Sequence, residues 1–183
     1  MSRNDKFPKR SLMGQIPLEE EFTGMNAFRS VFYRLLHSAA RYLPMFPSWR
    51  VSIHRLRGVS IGKSVFIGSD VFIDNTFPDC IIIEDYVTII SRSFVIGHSF
   101  VPLHLERVLS RQGPSKQGVR LRKGCYIGAQ SVILPGVTVG QCSVVGAGSV
   151  VTGDIADFSM AAGSPARVIK QFDPKDIRYD RLV

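Results

Sequence analysis

Six residues set the beat of this sequence: Leu121, Ile127, Ile133, Val139, Val145 and Val151 stand six positions apart, and glycine follows Ile127, Val139 and Val145. A strand alternates every two residues and a helix repeats every 3.6, so a sustained period of six requires short flat segments separated by regular turns. That unit is a solenoid rung. The beat recurs earlier in two shorter runs, Ile61, Ile67 and Ile73, then Ile83, Ile89 and Val95, with Gly62 and Gly68 after the first two aliphatics. If each unit forms one flat side, three units close a turn, and the aliphatics stack as interior ladders of a triangular prism. Each buried aliphatic then contributes about 1.5 to 3 kcal/mol, so a charge at Ile127 or Val139 is expected to be severely destabilising. Glycine after the aliphatic is expected to supply the dihedral freedom of the corner. The period specifies a β-solenoid without specifying its hand.

Two interruptions break the beat. Between Ile73 and Ile83 the step is ten residues, through the polar stretch Asp74-Asn75-Thr76-Phe77-Pro78-Asp79-Cys80. Between Val95 and Leu121 it is far longer, and residues 99–118 are expected to leave the coil as a loop. A rigid scaffold that expels loops commonly carries function on them. The chain divides into an extension over 1–57, the solenoid over 58–170 and a tail over 171–183.

The formal net charge is +8, and residues 99–124 carry six basic side chains against Glu106 alone. Such a balance suits anionic partners: a phosphate-rich cofactor, a nucleotide sugar, an acidic glycan or an anionic lipid surface. Nucleic acid is not expected, because no recognised binding motif or aromatic platform accompanies the charge. Cys80, Cys125 and Cys142 have neither zinc spacing nor a CxxC pair and read as reduced small hydrophobes in a cytosolic protein. The first twenty residues are polar and charged, unlike a secretory leader.

Residues 26–46 place Phe28, Val31, Phe32, Leu35, Leu36, Ala39 and Leu43 at helical spacing, interspersed with arginines, and predict an amphipathic helix ending near Pro44. It is too charged to span a membrane. Two roles fit it: a cap on the open end of the solenoid, or a peripheral membrane contact on an anionic face.

The stretch Lys123-Gly124-Cys125-Tyr126-Ile127-Gly128, the run Val144-Val145-Gly146-Ala147-Gly148-Ser149-Val150-Val151-Thr152, and Ala161-Ala162-Gly163-Ser164-Pro165-Ala166-Arg167-Val168-Ile169-Lys170 closely resemble the hexapeptide-repeat acyltransferases. Galactoside, maltose, serine and polysaccharide O-acetyltransferases belong to that superfamily, and the resemblance spans about residues 59–170. It implies a mainly β fold, a left-handed parallel β-helix with an N-terminal amphipathic α-helix and a long extruded loop. It further implies a homotrimer that binds acetyl-coenzyme A between subunits, uses a histidine base and needs no metal.

On that resemblance, His98, in Val95-Ile96-Gly97-His98-Ser99 at the mouth of the long loop, is the candidate base, with His104 as the fallback. His37 and His54 read as structural or surface residues. A base is needed because an alcohol attacking a thioester must shed its proton, and imidazole titrates near neutral pH. The resemblance also implies that Gly146, Ala147 and Gly148 admit the pantetheine arm, with Thr152 further along the groove, Tyr126 as an apolar wall and Arg167 meeting the nucleotide phosphates. The competing reading of the small residues is corner geometry. Relatives often carry Lys after the Thr, whereas Gly153 stands here. Asp74, Asn75 and Asp79 fall where sugar acetyltransferases place groups for acceptor hydroxyls. Asp85 is a further acceptor candidate, or a residue that orients a histidine. Each of these four reads equally as a solvated turn residue. Arg107, Arg111 and Lys116 read as solvated charge or as recognition of an acidic acceptor.

The expected function is acetyl transfer from acetyl-coenzyme A to a sugar hydroxyl of a surface-polysaccharide or glycolipid precursor, by direct attack, in the cytoplasm or at the inner face of the membrane. The alternatives are N-acetylation of an amino sugar, antibiotic acetylation, and a β-helix scaffold without catalysis. A zinc hydrase would need three histidine ligands, and His37 and His54 lie outside the main rungs.

Overall fold

A computed structural model describes residues 24–99, 105 and 115–178, and their main body is a three-sided coil of very short strands. The first turn is β1 (Ser60–Ile61), β2 (Phe66–Ile67) and β3 (Phe72–Ile73), and the second is β4 (Ile81–Ile83), β5 (Thr88–Ile89) and β6 (Phe94–Val95). The chain then leaves the coil through β7 (His98–Ser99) and returns through β8 (Ser115–Lys116), which pair antiparallel at the base of the expected loop. The third turn is β9 (Val119–Leu121), β10 (Tyr126–Ile127) and β11 (Val132–Ile133), and the fourth is β12 (Thr138–Val139), β13 (Val144–Val145) and β14 (Val150–Val151). The last elements are β15 (Ser159–Gly163) and β16 (Ala166–Gln171), an antiparallel pair at one end of the second sheet.

Successive turns stack as parallel sheets: β1-β4-β9-β12, then β2-β5-β10-β13-β15, then β3-β6-β11-β14. The beat maps directly onto the register. Ile67 pairs with Ile89, Ile89 with Ile127, Ile127 with Val145 and Val145 with Ala161, and all five are fully buried. A second inward position lies two residues earlier, where Ser93, Ser131, Ser143, Ser149 and Ser159 are also buried. Burying a hydroxyl is costly unless it is bonded. Ser93 donates to the carbonyls of Ile90 (2.8 Å) and Gly128 (2.9 Å), and Ser131 donates to Gly146 (3.0 Å), so these serines tie one corner to the next coil.

The corners work differently from the sequence expectation. Positive φ falls three residues before the aliphatic, at Asp70, Gln130, Cys142 and Gly148 among others, not at the glycine after it. The glycine after the aliphatic is needed for close approach. A Cβ at Gly128 would lie 2.5 Å from the backbone nitrogen of Ala147, and one at Gly68 would lie 2.6 Å from that of Ser91.

Two helices close the first turn. α1 (Gly24–Tyr42) stops just before Pro44, whose ring disfavours helical geometry in the residue ahead of it. α2 (Pro47–Leu56), which the periodicity did not reveal, starts with proline in its first turn, where the missing N–H costs nothing. In a parallel coil the first turn has no predecessor to donate to its carbonyls. Three arginines donate instead: Arg55 to Ile61 (3.1 Å) and Gly62, Arg50 to Ile67 (3.0 Å), and Arg57 to Ile73 (3.3 Å) and Asp74 (2.9 Å). One arginine thus serves each of the three sheets. The expected helix, α1, also packs on the first turn: its His37 ring meets Phe72 at 5.0 Å and its Arg41 carbonyl accepts the N–H of Asp70 (3.0 Å), a capping contact.

Candidate active site

Both interruptions of the six-residue beat occur at one edge of the prism, where the third sheet hands over to the first, on successive turns. The first extrudes residues 74–80, which end in a short 3-10 turn at Pro78–Cys80, and the second begins at Ile96. Stacking brings the start of each excursion together. Asp74 donates its N–H to the carbonyl of Val95 (3.0 Å), and Gly97, directly after that turn, donates to Asp74 Oδ2 (2.8 Å). His98 follows, and its Nδ1 lies 2.5 Å from the same Oδ2. The Phe77 ring stands edge-on to the imidazole at 5.4 Å.

Asp74 is fully buried. Its Oδ1 accepts the N–H groups of Thr76 (2.9 Å) and Phe77 (3.0 Å), and its Oδ2 accepts from Gly97 and His98. Burial alone would raise its pKa. The N–H of Phe77, the His98 ring, the N–H of Gly97 and the charge His98 can carry outweigh that effect and hold the carboxyl below its usual range. An ionised carboxylate only accepts hydrogen bonds, so His98 Nδ1 carries the proton and Nε2 presents its lone pair. The His98 side chain keeps 24% exposure, enough for that nitrogen to meet a ligand.

This setting changes the role read for two carboxylates. Asp74, expected at acceptor hydroxyls, is enclosed with both oxygens taken and serves the histidine. Asp85, considered for that service, lies on a different edge and accepts the backbone N–H of Lys63 (2.7 Å). Asn75 and Asp79 remain exposed beside the first excursion. His104, Arg107 and Arg111 lie outside the described residues, as does the Lys116 side chain.

Beneath Asp74 is a feature the sequence reading missed. Arg57 is 2% exposed, donates to the Asp74 carbonyl and meets His54 Nδ1 at 2.9 Å. Burial pulls its pKa down to about 10, with the Asp74 charge opposing. His54 packs near His37 at 6.5 Å between ring centres. Burial, with the nearby arginine charge, lowers their pKa values to about 3 and about 4 respectively. Arg57 follows Arg50 and Arg55 and its acceptors include backbone carbonyls, so no local signal in the sequence marks it.

The remaining candidates occupy two further regions. Thr152 is exposed on the same edge as Asp74 and His98, two turns beyond His98, or about 10 Å at ordinary strand spacing. Gly146, Ala147 and Gly148 form the edge between the second and third sheets. Gly146 donates to the Ala161 carbonyl (2.8 Å), and Ala162 pairs with Arg167, so the small corner and the arginine are neighbours. A Cβ at Gly148 would meet nothing within 4 Å, so this corner is open. Tyr126 is exposed on the second sheet between Thr88 and Val144. The three cysteines are free thiols, and burial raises the pKa of Cys125. Among the described residues no group of three or more His, Cys, Asp or Glu could hold a metal ion.

Residues 118–153 match the family described as Bacterial transferase hexapeptide (six repeats). The galactoside O-acetyltransferase of Escherichia coli (strain K12) is 35% identical over 127 residues, covering 66% of this chain and 60% of that protein. A dTDP-3-amino-3,6-dideoxy-alpha-D-galactopyranose 3-N-acetyltransferase of Aneurinibacillus thermoaerophilus is 54% identical over 48 residues, 26% of this chain and 25% of that one. The chain thus spans less than two thirds of the length of these curated relatives. A hexapeptide-repeat-containing acetyltransferase of Vibrio cholerae O1 biovar eltor, solved with acetyl-coenzyme A, superposes with a TM-score of 0.61 at 19% identity, covering 84% of this chain and 92% of that one. The solenoid is therefore the left-handed parallel β-helix expected from the resemblance.

Proposed function

We propose that this chain, which resembles the hexapeptide-repeat acyltransferases over its solenoid, transfers an acetyl group from acetyl-coenzyme A to a sugar hydroxyl, with His98 as base. The observation that carries this is the buried Asp74 carboxylate on His98 Nδ1, which fixes the ring of a side chain that stays partly exposed and leaves Nε2 free of that contact. His98 Nε2 takes the acceptor proton as the hydroxyl oxygen attacks the thioester carbonyl. The ionised Asp74 stabilises the imidazolium so formed. When the tetrahedral intermediate collapses, the C–S bond breaks and His98 returns the proton to the departing thiolate. No covalent acyl-enzyme is needed, and a base of this kind contributes about 10²- to 10⁴-fold in rate.

The open corner at Gly146, Ala147 and Gly148, with Arg167 beside it, suits a thin apolar arm ending in phosphates. Tyr126 extends that surface along the second sheet, and Thr152 lines the His98 edge. Since the Gly146–Gly148 corner and Arg167 stand on a different edge from His98, a neighbouring copy of the chain closes the cleft, and the assembly is a homotrimer. Asn75 and Asp79, exposed near His98, contact the acceptor, a surface-polysaccharide or glycolipid precursor. The donor places the work in the cytoplasm.

The test is thiol release from acetyl-coenzyme A with a panel of nucleotide sugars, lipid-linked sugars and amino sugars. Acceptor-dependent release with a product labile to mild alkali, as an ester is, supports O-transfer. An alkali-stable amide moves the assignment to N-transfer. Absence of both release and acetyl-coenzyme A binding points to a scaffold.

A further inference from the structure

We propose that the elbow joining α1 to α2 docks the protein onto an anionic lipid bilayer. The carboxyl-terminal half of α1 turns His37 and Ala40 inward to the first turn of the solenoid, and its opposite stripe, Val31, Arg34, Leu35, Ser38 and Tyr42, is exposed at helical spacing. The chain then runs through Leu43 and Phe46 into α2, where Trp49, Ser52 and Leu56 form the outward stripe. Phe46 is 69% exposed and Trp49 63%, and their rings meet edge-on at 5.8 Å. A folded chain rarely leaves so many large apolar side chains together in water without a partner.

Charge identifies the partner. From residue 24 to residue 69 the chain carries Arg29, Arg34, Arg41, Arg50, Arg55, Arg57 and Lys63 and no Asp or Glu; of these, Arg41 is paired at 2.6 Å with Asp70, which follows that stretch. Arg50 and Arg57 add buried positive charge behind the apolar surface, and Arg34 stands exposed within it. Tryptophan and tyrosine favour the boundary between headgroups and acyl chains, and basic side chains favour anionic headgroups. A protein interface of the same apolar character would normally interleave acidic groups to balance its cations. Among the described residues no helix is long and apolar enough to cross a membrane, so the contact is peripheral. Docking is independent of the acetyl-transfer reading; if both hold, the enzyme meets a lipid-linked acceptor at the surface where it resides.

Trp49 is the chain's only tryptophan, so its fluorescence reports on the elbow alone. The full-length protein is titrated with vesicles of phosphatidylcholine, or of phosphatidylcholine mixed equally with phosphatidylglycerol, following Trp49 emission, acrylamide quenching and co-sedimentation. The expected result is a blue shift and loss of quenching with the anionic vesicles only, weakened by salt. Phe46→Ser is expected to reduce vesicle affinity about tenfold or more, and Arg34→Gln about fivefold, with circular dichroism unchanged. Emission that ignores the vesicles while the protein stays in the supernatant overturns the proposal. So does emission already blue-shifted and shielded without lipid, which would mean that protein covers the elbow. Equal binding to neutral vesicles overturns the anionic requirement.

Discussion

The imidazole Nδ1 of His98 lies 2.5 Å from Oδ2 of the fully buried Asp74. The two residues are separated in sequence by a complete turn of the solenoid, and only the vertical stacking of two excursions at one edge brings them together. Asp74→Asn keeps the shape but lets the amide present N–H to the ring, so the favoured tautomer reverses and Nε2 loses its lone pair. The expected outcome is a kcat lower by about 10²-fold or more, with KM for acetyl-coenzyme A little changed. Steady-state kinetics with circular dichroism as a folding control checks this.

Arg57→Met removes the donor that serves the carbonyls of Ile73 and Asp74. Each buried carbonyl left without a partner costs about 1 to 3 kcal/mol, so the loss in urea unfolding should be about 2 to 6 kcal/mol. Because Asp74 loses its backbone anchor, kcat should also fall at temperatures where the variant remains folded. Arg57→Lys should recover less than half of either loss, since an ammonium lacks the planar fork that spans several acceptors.

The beat made the interior ladders and the two excursions legible in the sequence, because a strict period has one simple solution, whereas His98 was singled out by the family resemblance at Gly97-His98. The partner of His98 was not legible. Asp74 directly follows Ile73 and Asp85 lies two residues after Ile83, both at corners of the coil, and nothing in the residue types says which edge meets His98. The positive-φ positions were also hidden, since Asp70, Gln130 and Cys142 are unremarkable as residue types. The capping arginines were not legible either, because their acceptors are backbone carbonyls, which leave no trace in a sequence. Residues 47–56 gave no helical signal long enough to separate from the preceding apolar run.

Close coil approach makes a sharp pair of predictions. Gly128→Ala places a methyl 2.5 Å from a backbone nitrogen that cannot retreat without shifting a whole coil. Overpacking of this kind costs about 1 to 3 kcal/mol or more. Gly153→Ala, where an added Cβ meets nothing within 4 Å, should be neutral to slightly stabilising. Thermal unfolding of the two variants side by side compares them.

Acid should loosen the helical cap before the solenoid core. His37 and His54 have pKa values lowered from 6.5 to about 4 and about 3, so below pH 6.5 the unfolded chain takes up protons that the folded chain refuses. Stability therefore falls with pH through that window, at up to about 1.4 kcal/mol per pH unit for each histidine. The depressed pKa of Asp74 acts in the same direction at lower pH, because its stabilising contribution is lost as the carboxylate protonates. Urea midpoints between pH 8 and pH 4 should show the decline, and His54→Asn should flatten it.

The most direct test of the proposed chemistry is single-turnover acetyl transfer by His98→Ala, with calorimetry of acetyl-coenzyme A binding on the same preparation. The predicted result is a rate lower by about 10²- to 10⁴-fold with donor affinity within a few-fold of the unaltered protein. Transfer at an unchanged rate would contradict a base at His98 and with it the assignment of the Asp74 edge as the catalytic edge.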